Sequence, residues 1–270
     1  MNDKLLNLAP PKAMTIAGSD SGAGAGIQAD LKTFAALGVY GTSAVTAVTA
    51  QNTKGVFAVA EVPEEVVSLQ IDVVLDDIGA DALKTGMLSS ASIVRTVADR
   101  IEAWGVARVV VDPVMVAKGG HPLLHEQAVA ALKDALLPLA MIVTPNIPEA
   151  EILAGMVIDS PEAARNAAIA IAELGPKIVV VKGGHRSGDA SDLVYDGNTF
   201  EEFSAERIVT ANTHGTGCSL SAAITANLAK GLPPMEAISE AKLWLTQAIE
   251  RSYAIGAGHS PVNHFHALWR

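Results

Sequence analysis

Short apolar runs alternate with longer stretches whose apolar positions recur every three or four residues, from one end of the chain to the other. The short runs predict strands at Ala13–Ala17, Ser43–Thr49, Ala82–Lys84, Arg108–Asp112, Met141–Thr144 and Ile178–Lys182. The longer periodic stretches predict helices at Ile27–Leu37, Glu64–Ile78, Ser90–Trp104, Gln127–Leu137 and Pro161–Leu174. Two more, near Ser219–Lys230 and Met235–Ser252, close the chain; the first is Ala-, Leu- and Ile-rich and stops at Gly231. Strand–helix alternation with short apolar strands specifies an α/β fold, a mainly parallel sheet covered by helices on both faces. Asp196-Gly197-Asn198 between Leu193-Val194-Tyr195 and Thr199-Phe200 predicts an antiparallel hairpin added at the sheet's edge. No repeat, low-complexity tract or composition break divides the chain. The expectation is a loose tail over residues 1–12, ending with Pro10-Pro11, and one domain over residues 13–270.

In open α/β sheets ligands sit beyond the carboxyl ends of the strands, and the polar or glycine-rich segments fall there. Gly18–Gly26 follows the first predicted strand, Gln51-Asn52-Thr53 the second, Thr85-Gly86-Met87 the third and Asp112–Met115 the fourth. Pro145–Glu149 follows the fifth and Gly183-Gly184-His185 the sixth. One shared cleft is the economical reading.

Composition narrows the ligand. A formal net charge of −10 argues against nucleic acid or an anionic membrane as partner. An anionic ligand would need local donors, backbone N–H groups or a few lysines. The longest apolar stretch, Ala135–Val143, contains Pro138 and falls far short of the ~20 residues a spanning helix needs. A single cysteine permits no internal disulfide, which fits a reducing compartment. A soluble, cytoplasmic protein is expected.

The strongest chemical signal is Asn212-Thr213-His214-Gly215-Thr216-Gly217-Cys218, which sets the lone cysteine after two glycines at a helix start. Converging N–H groups and the helix dipole favour an anion there. The same field favours a thiolate, so Cys218 is expected to serve as a base near neutral pH. The plainer alternative is a glycine-rich cap with a small buried cysteine. The Gly22-x-Gly24-x-Gly26 loop lacks the dinucleotide-fold spacing, and no P-loop motif occurs. Its glycines either let backbone approach a ligand, with Asp20 available to accept a hydrogen bond, or simply make a tight strand-to-helix turn. Asn146-x-x-Glu149 reads either as oxygen ligands for the hydrated Mg²⁺ of ATP or as a helix cap with its capping-box partner. Lys182 beside Gly183-Gly184-His185 could neutralise phosphate or simply reach solvent at a strand's end. Pro122 separates His121 from His125, and His264 with His266 is too few for a metal site. A Cys–His hydrolase built on Cys218 with His214 or His185 lacks an orienting partner.

Taken together, these motifs resemble the hydroxymethylpyrimidine/phosphomethylpyrimidine kinases of thiamine biosynthesis, within the ribokinase-like superfamily. The likeness runs from Thr15-Ile-Ala-Gly-Ser-Asp20 to Pro261–Trp269 and includes Ala25–Phe34, Ala50-Gln-Asn-Thr53, Lys182–His185 and Asn212–Cys218. It implies a three-layer ribokinase-like fold and ATP-dependent phosphorylation of 4-amino-5-hydroxymethyl-2-methylpyrimidine, then of its monophosphate. Gln51 would bind the pyrimidine, with Gly18, Asp20, Ala25, Met87 and Val114 lining its pocket. Asn146, Glu149, Lys182 and Thr213 would serve the nucleotide and its Mg²⁺, with Asp112 near the metal and Glu149 acting on it through water. Gly215 and Gly217 would form the anion hole beside Cys218, the proton acceptor. A homodimer is implied as well. The nearest alternative is a vitamin B6 kinase of the same superfamily. The first loop departs from the family's pattern, reading Asp20-Ser21-Gly22-Ala23 where Asp-Pro-Ser-Gly is frequent.

Overall fold

The computed structural model describes residues 9–115, 126–183 and 189–269. Nine strands form one sheet in the order β3-β2-β1-β4-β5-β6-β7-β8-β9. They are β1 (Lys12–Asp20), β2 (Tyr40–Asn52), β3 (Gly55–Glu61), β4 (Ala82–Thr85), β5 (Val109–Val111), β6 (Ile142–Val143), β7 (Ile178–Val181), β8 (Asp192–Tyr195) and β9 (Phe200–Phe203). The pairings from β2 through β1, β4, β5 and β6 to β7 are all parallel. Antiparallel strands close both edges. The helices are α1 (Gly26–Ala36), α2 (Glu64–Asp77), α3 (Ala91–Trp104), α4 (Glu126–Ala131), α5 (Ile147–Ala154), α6 (Pro161–Ala172), α7 (Thr216–Ala229) and α8 (Pro234–Glu250).

The strand residues explain the three layers. Along β1, β4 and β5, Met14, Ile16, Leu83, Val109 and Val111 pack under α2, α3 and α6. The intervening Ala13, Ala82 and Val110 pack with Phe34 of α1 and with α7 and α8 on the opposite face. Both faces are dry, which is why these strands read as continuous apolar runs.

Two expectations need correction, over Gln127–Leu137 and at Lys12. The predicted helix Gln127–Leu137 is α-helical only over Glu126–Ala131, widens to a π turn at Leu132–Leu136 and tightens to a 3₁₀ turn at Leu137–Leu139. Pro138 has no N–H to continue the α ladder. The edge hairpin forms as β8–β9, its turn held by Asp196 Oδ1, which accepts from the Asn198 and Thr199 N–H groups. A second antiparallel edge, β3, had no counterpart in the sequence reading. Lys12, assigned to the tail, already pairs with Tyr40 as the first residue of β1. Most of the tail (residues 1–8), His121, His125, Gly184 and His185 lie outside the described residues. Among the described residues no helix is long and apolar enough to cross a membrane.

Candidate active site

Strand order reverses between β1 and β4, and the crevice at their carboxyl ends is where an α/β sheet receives ligands. The two strand ends are tied together there: Gly18 N–H donates to the Met87 carbonyl at 3.1 Å and Gly86 N–H to the Ile16 carbonyl at 2.9 Å. A cavity of about 550 Å³ opens at this point and extends along the sheet to β7. Gly18, Asp20, Ala25, Gln51, Met87 and Val114 line it, as do Asp112, Asn146, Glu149, Lys182 and Thr213, together with Gly215, Gly217 and Cys218. Every residue to which the resemblance gives a site role thus lines one cleft.

The glycine loop is held by its own aspartate. Asp20 Oδ1 accepts from Gly22 N–H at 2.8 Å, and Oδ2 accepts from Gly24 N–H at 3.1 Å and Ala25 N–H at 2.9 Å. His214 Nε2 lies 2.9 Å from the same Oδ2. Burial works against this carboxylate, but His214 and the loop N–H groups outweigh it and hold Asp20 below the usual range. Asp20 was expected to be free to accept from a ligand; instead its oxygens organise the loop. Gly24 is required here, because a Cβ would run into the His214 ring.

Helix α7 starts at the opposite wall. Gly215 is its N-cap, left-handed at φ 75°, and no side chain caps the helix. A Cβ at Gly215 would collide with the Gly24 carbonyl. The N–H groups of Thr216, Gly217 and Cys218 in the first turn have no intrahelical acceptors, and the turn itself contains no acidic residue. A Cβ at Gly217 would come within 3.2 Å of Lys182 Nζ, so this residue keeps the cation and the helix terminus close. The result is a cradle for an anion.

Lys182 ends β7 between two carboxylates. Its Nζ lies 3.0 Å from Asp112 Oδ1 and 3.9 Å from Glu149 Oε2. Burial opposes its charge, yet Asp112 and then Glu149 push its pKa above the usual lysine value. Glu149 shifts the other way: burial raises it, and the Asp112 charge adds to that effect against Lys182. Asp112, though buried, is held low by Lys182 and Lys84. Asn146 and Glu149 form a true capping box for α5, with Glu149 N–H donating to Asn146 Oδ1 at 2.9 Å and Asn146 N–H to Glu149 Oε2 at 2.8 Å. The cap alternative read from sequence is therefore realised, and it presents the Glu149 carboxylate to the cleft. Among the described residues no group of three or more His, Cys, Asp or Glu side chains forms a ready-made metal cage. Two buried carboxylates opposed by one lysine nevertheless suit a dication that arrives with its own waters and phosphate oxygens.

Cys218 requires a correction. Burial pushes its thiol up to about 12, against the lowering influence of Lys84 and the Gly26 N–H, with Asp112 and Asp30 adding to the rise. The helix terminus does not make it a thiolate near neutral pH, because desolvation exceeds the dipole's help.

Sequence reasoning also missed two ion pairs. Lys84 Nζ meets Asp30 Oδ1 at 2.8 Å with neither side chain exposed, and Thr15 Oγ1 donates to Asp30 Oδ2 at 2.6 Å. A lysine inside an apolar parallel strand was the available signal. Lys242 Nζ donates to Asp192 Oδ2 at 2.8 Å, while Asp192 Oδ1 accepts from Gly183 N–H at 2.9 Å and anchors the backbone after Lys182. His264, discounted as a metal ligand, is buried with its Nε2 3.0 Å from Ser219 Oγ on α7.

The family model for phosphomethylpyrimidine kinase matches residues 20–263. A hydroxymethylpyrimidine/phosphomethylpyrimidine kinase of Rhizobium meliloti (strain 1021) is 54% identical over 263 residues, 96% of this chain and 98% of the relative. Among solved structures, the ADP complex of Bacillus subtilis pyridoxal kinase superposes with a TM-score of 0.90 at 41% identity, over 96% of this chain and 99% of that one. A phosphomethylpyrimidine kinase from Clostridium difficile 630 gives 0.79 at 44% identity, over 88% and 99%. The fold is that of the ribokinase-like kinases, and this chain belongs to the phosphomethylpyrimidine kinase family.

Proposed function

We propose that the chain transfers the terminal phosphoryl group of ATP to the hydroxymethyl oxygen of 4-amino-5-hydroxymethyl-2-methylpyrimidine, and then a second one to the resulting monophosphate. The observation that carries this reading is the meeting of the uncapped α7 terminus, Lys182 and Gln51 in one cavity. Phosphoryl transfer asks a protein chiefly to align donor and acceptor and to stabilise charge on the moving oxygens. The N–H groups of Thr216, Gly217 and Cys218 hold those oxygens, and Lys182 shares their charge. Asp112 and Glu149 would hold Mg²⁺ through water, and the ion when bound would neutralise the nucleotide's phosphate oxygens. Asn146 and Thr213 line the nucleotide side, while Gly18, Ala25, Met87 and Val114 enclose the ring near Gln51.

Cys218 takes the proton of the attacking alcohol. With a thiol held up to about 12 it does so only through its minor thiolate fraction. The second acceptor is a phosphate, already ionised at neutral pH because its second pKa is about 6. The second transfer therefore proceeds without Cys218 as base.

A vitamin B6 kinase is the second reading, favoured by the 0.90 TM-score with a pyridoxal kinase. Relative kcat/KM on hydroxymethylpyrimidine and on pyridoxal separates the two. A preference for the pyrimidine is the expected result, and a preference for pyridoxal would overturn the proposal.

A further inference from the structure

Resting on the reading that Gln51 contacts the pyrimidine, we propose that His214 is the positioning residue that fixes which way the Gln51 carboxamide faces. Four contacts form a chain across the mouth of the cleft. Asp20 Oδ2 is 2.9 Å from His214 Nε2, which is 3.4 Å from Gln51 Nε2. Gln51 Oε1 is 3.2 Å from Thr49 Oγ1, which is 2.8 Å from the Ser19 carbonyl.

Counting protons along this chain settles the amide. Asp20 is an acceptor at both oxygens, since three backbone N–H groups already donate to it. The proton between Asp20 and His214 therefore sits on Nε2, which cannot also accept from the Gln51 NH₂ group. At the other end, Thr49 has one hydroxyl proton and gives it to the Ser19 carbonyl. Facing Gln51 Oε1, it would set oxygen against oxygen with no hydrogen between. Turning the carboxamide end for end removes both conflicts and moves no heavy atom appreciably. Oε1 then faces the His214 Nε2–H as a second, weaker acceptor at 3.4 Å, sharing a proton whose main acceptor is Asp20 Oδ2 at 2.9 Å, and the Gln51 NH₂ donates to Thr49 Oγ1.

The consequence is specificity. In this orientation Gln51 keeps one N–H on the Thr49 side and one lone pair on the His214 side for a ligand. The site reads a ring edge that offers a donor beside an acceptor in one order, as an exocyclic amine next to a ring nitrogen does. His214 is itself fixed by its backbone N–H, which donates to the Ser260 carbonyl at 3.1 Å, and by the space that Gly24 leaves for its ring.

The test is a double-mutant cycle on KM for hydroxymethylpyrimidine, using full-length wild type, Gln51→Leu, His214→Leu and the double variant. Each single variant should raise that KM by about tenfold, one lost polar contact's worth, with KM for ATP within about twofold of wild type. The double variant should be no worse than Gln51→Leu by more than about twofold, because His214 acts through Gln51. His214→Gln, whose amide can still donate to Asp20 or Gln51, should recover most of the loss. If His214→Leu does not fold, the same cycle is run with His214→Gln, whose smaller penalty must vanish in the Gln51→Leu background. Multiplying penalties, or an unchanged KM in the folded His214 variants, would overturn the proposal. An unchanged KM in Gln51→Leu alone would instead remove the reading on which it rests.

Discussion

At the scale of single residues, the environment of Cys218 changes what its proposed role as the base predicts. A base with a pKa of about 12 is populated in proportion to hydroxide throughout the neutral range. The first transfer should therefore accelerate with pH, approaching tenfold per unit, with no plateau before about pH 9 wherever chemistry limits turnover. Cys218→Ala should lower that first step by about 10²-fold or more and abolish the slope. The second transfer should lose far less and be flat above about pH 7, where the phosphate acceptor is ionised. Separate assays started from the alcohol and from the monophosphate check both statements. Equal losses in the two steps would refute the division. Sequence placed Cys218 at the helix start, as observed, but not its proton, because position along the chain reports the dipole and not the burial. His214 was likewise undervalued: its importance comes from Asp20 and Gln51, which only folding brings to it.

Among the elements, the start of α7 and the α1–β4 contact carry the architecture of the cleft. Gly215→Ala forces a Cβ into the left-handed region and against the Gly24 carbonyl. It should destabilise the fold by at least about 1 kcal/mol and weaken ATP binding, measurable by denaturant titration and calorimetry. Lys84→Met leaves Asp30 buried without its cation and should cost about 3–5 kcal/mol. Lys84→Met combined with Asp30→Leu should recover much of that loss, since the uncompensated charge is gone. A Lys84→Met protein as stable as wild type would mean the pair contributes nothing to the fold. The parallel strands were legible because burial on both faces leaves an unbroken apolar signature. β3 was not, because its pattern is that of an exposed edge: Phe57 is 70% exposed and Val59 42%. The capping box was legible as a motif, but choosing between cap and ligand needed the geometry of α5.

For the whole molecule, a buried histidine contributes one pH-dependent part of the stability. Burial, with the Lys32 and His266 charges assisting, holds His264 down to about 4. The unfolded chain binds the proton near 6.5, so between these values it carries more protons than the native state and stability rises with pH. The contribution is full above about pH 6.5 and lost as pH falls toward about 4, on the order of 3 kcal/mol in all. Urea midpoints at pH 7 and pH 4.5 should differ more for wild type than for His264→Gln; an unchanged difference would remove His264 as the cause.

The central claim is that one cleft performs both transfers, and product analysis by mass tests it most directly. Wild-type protein with MgATP and hydroxymethylpyrimidine should yield the monophosphate first and then the diphosphate. Gly217→Val, which crowds Lys182 at the anion cradle, should stop both transfers together, whether the alcohol or the monophosphate is supplied. A Gly217→Val protein that loses one transfer and keeps the other at wild-type rate would contradict the account.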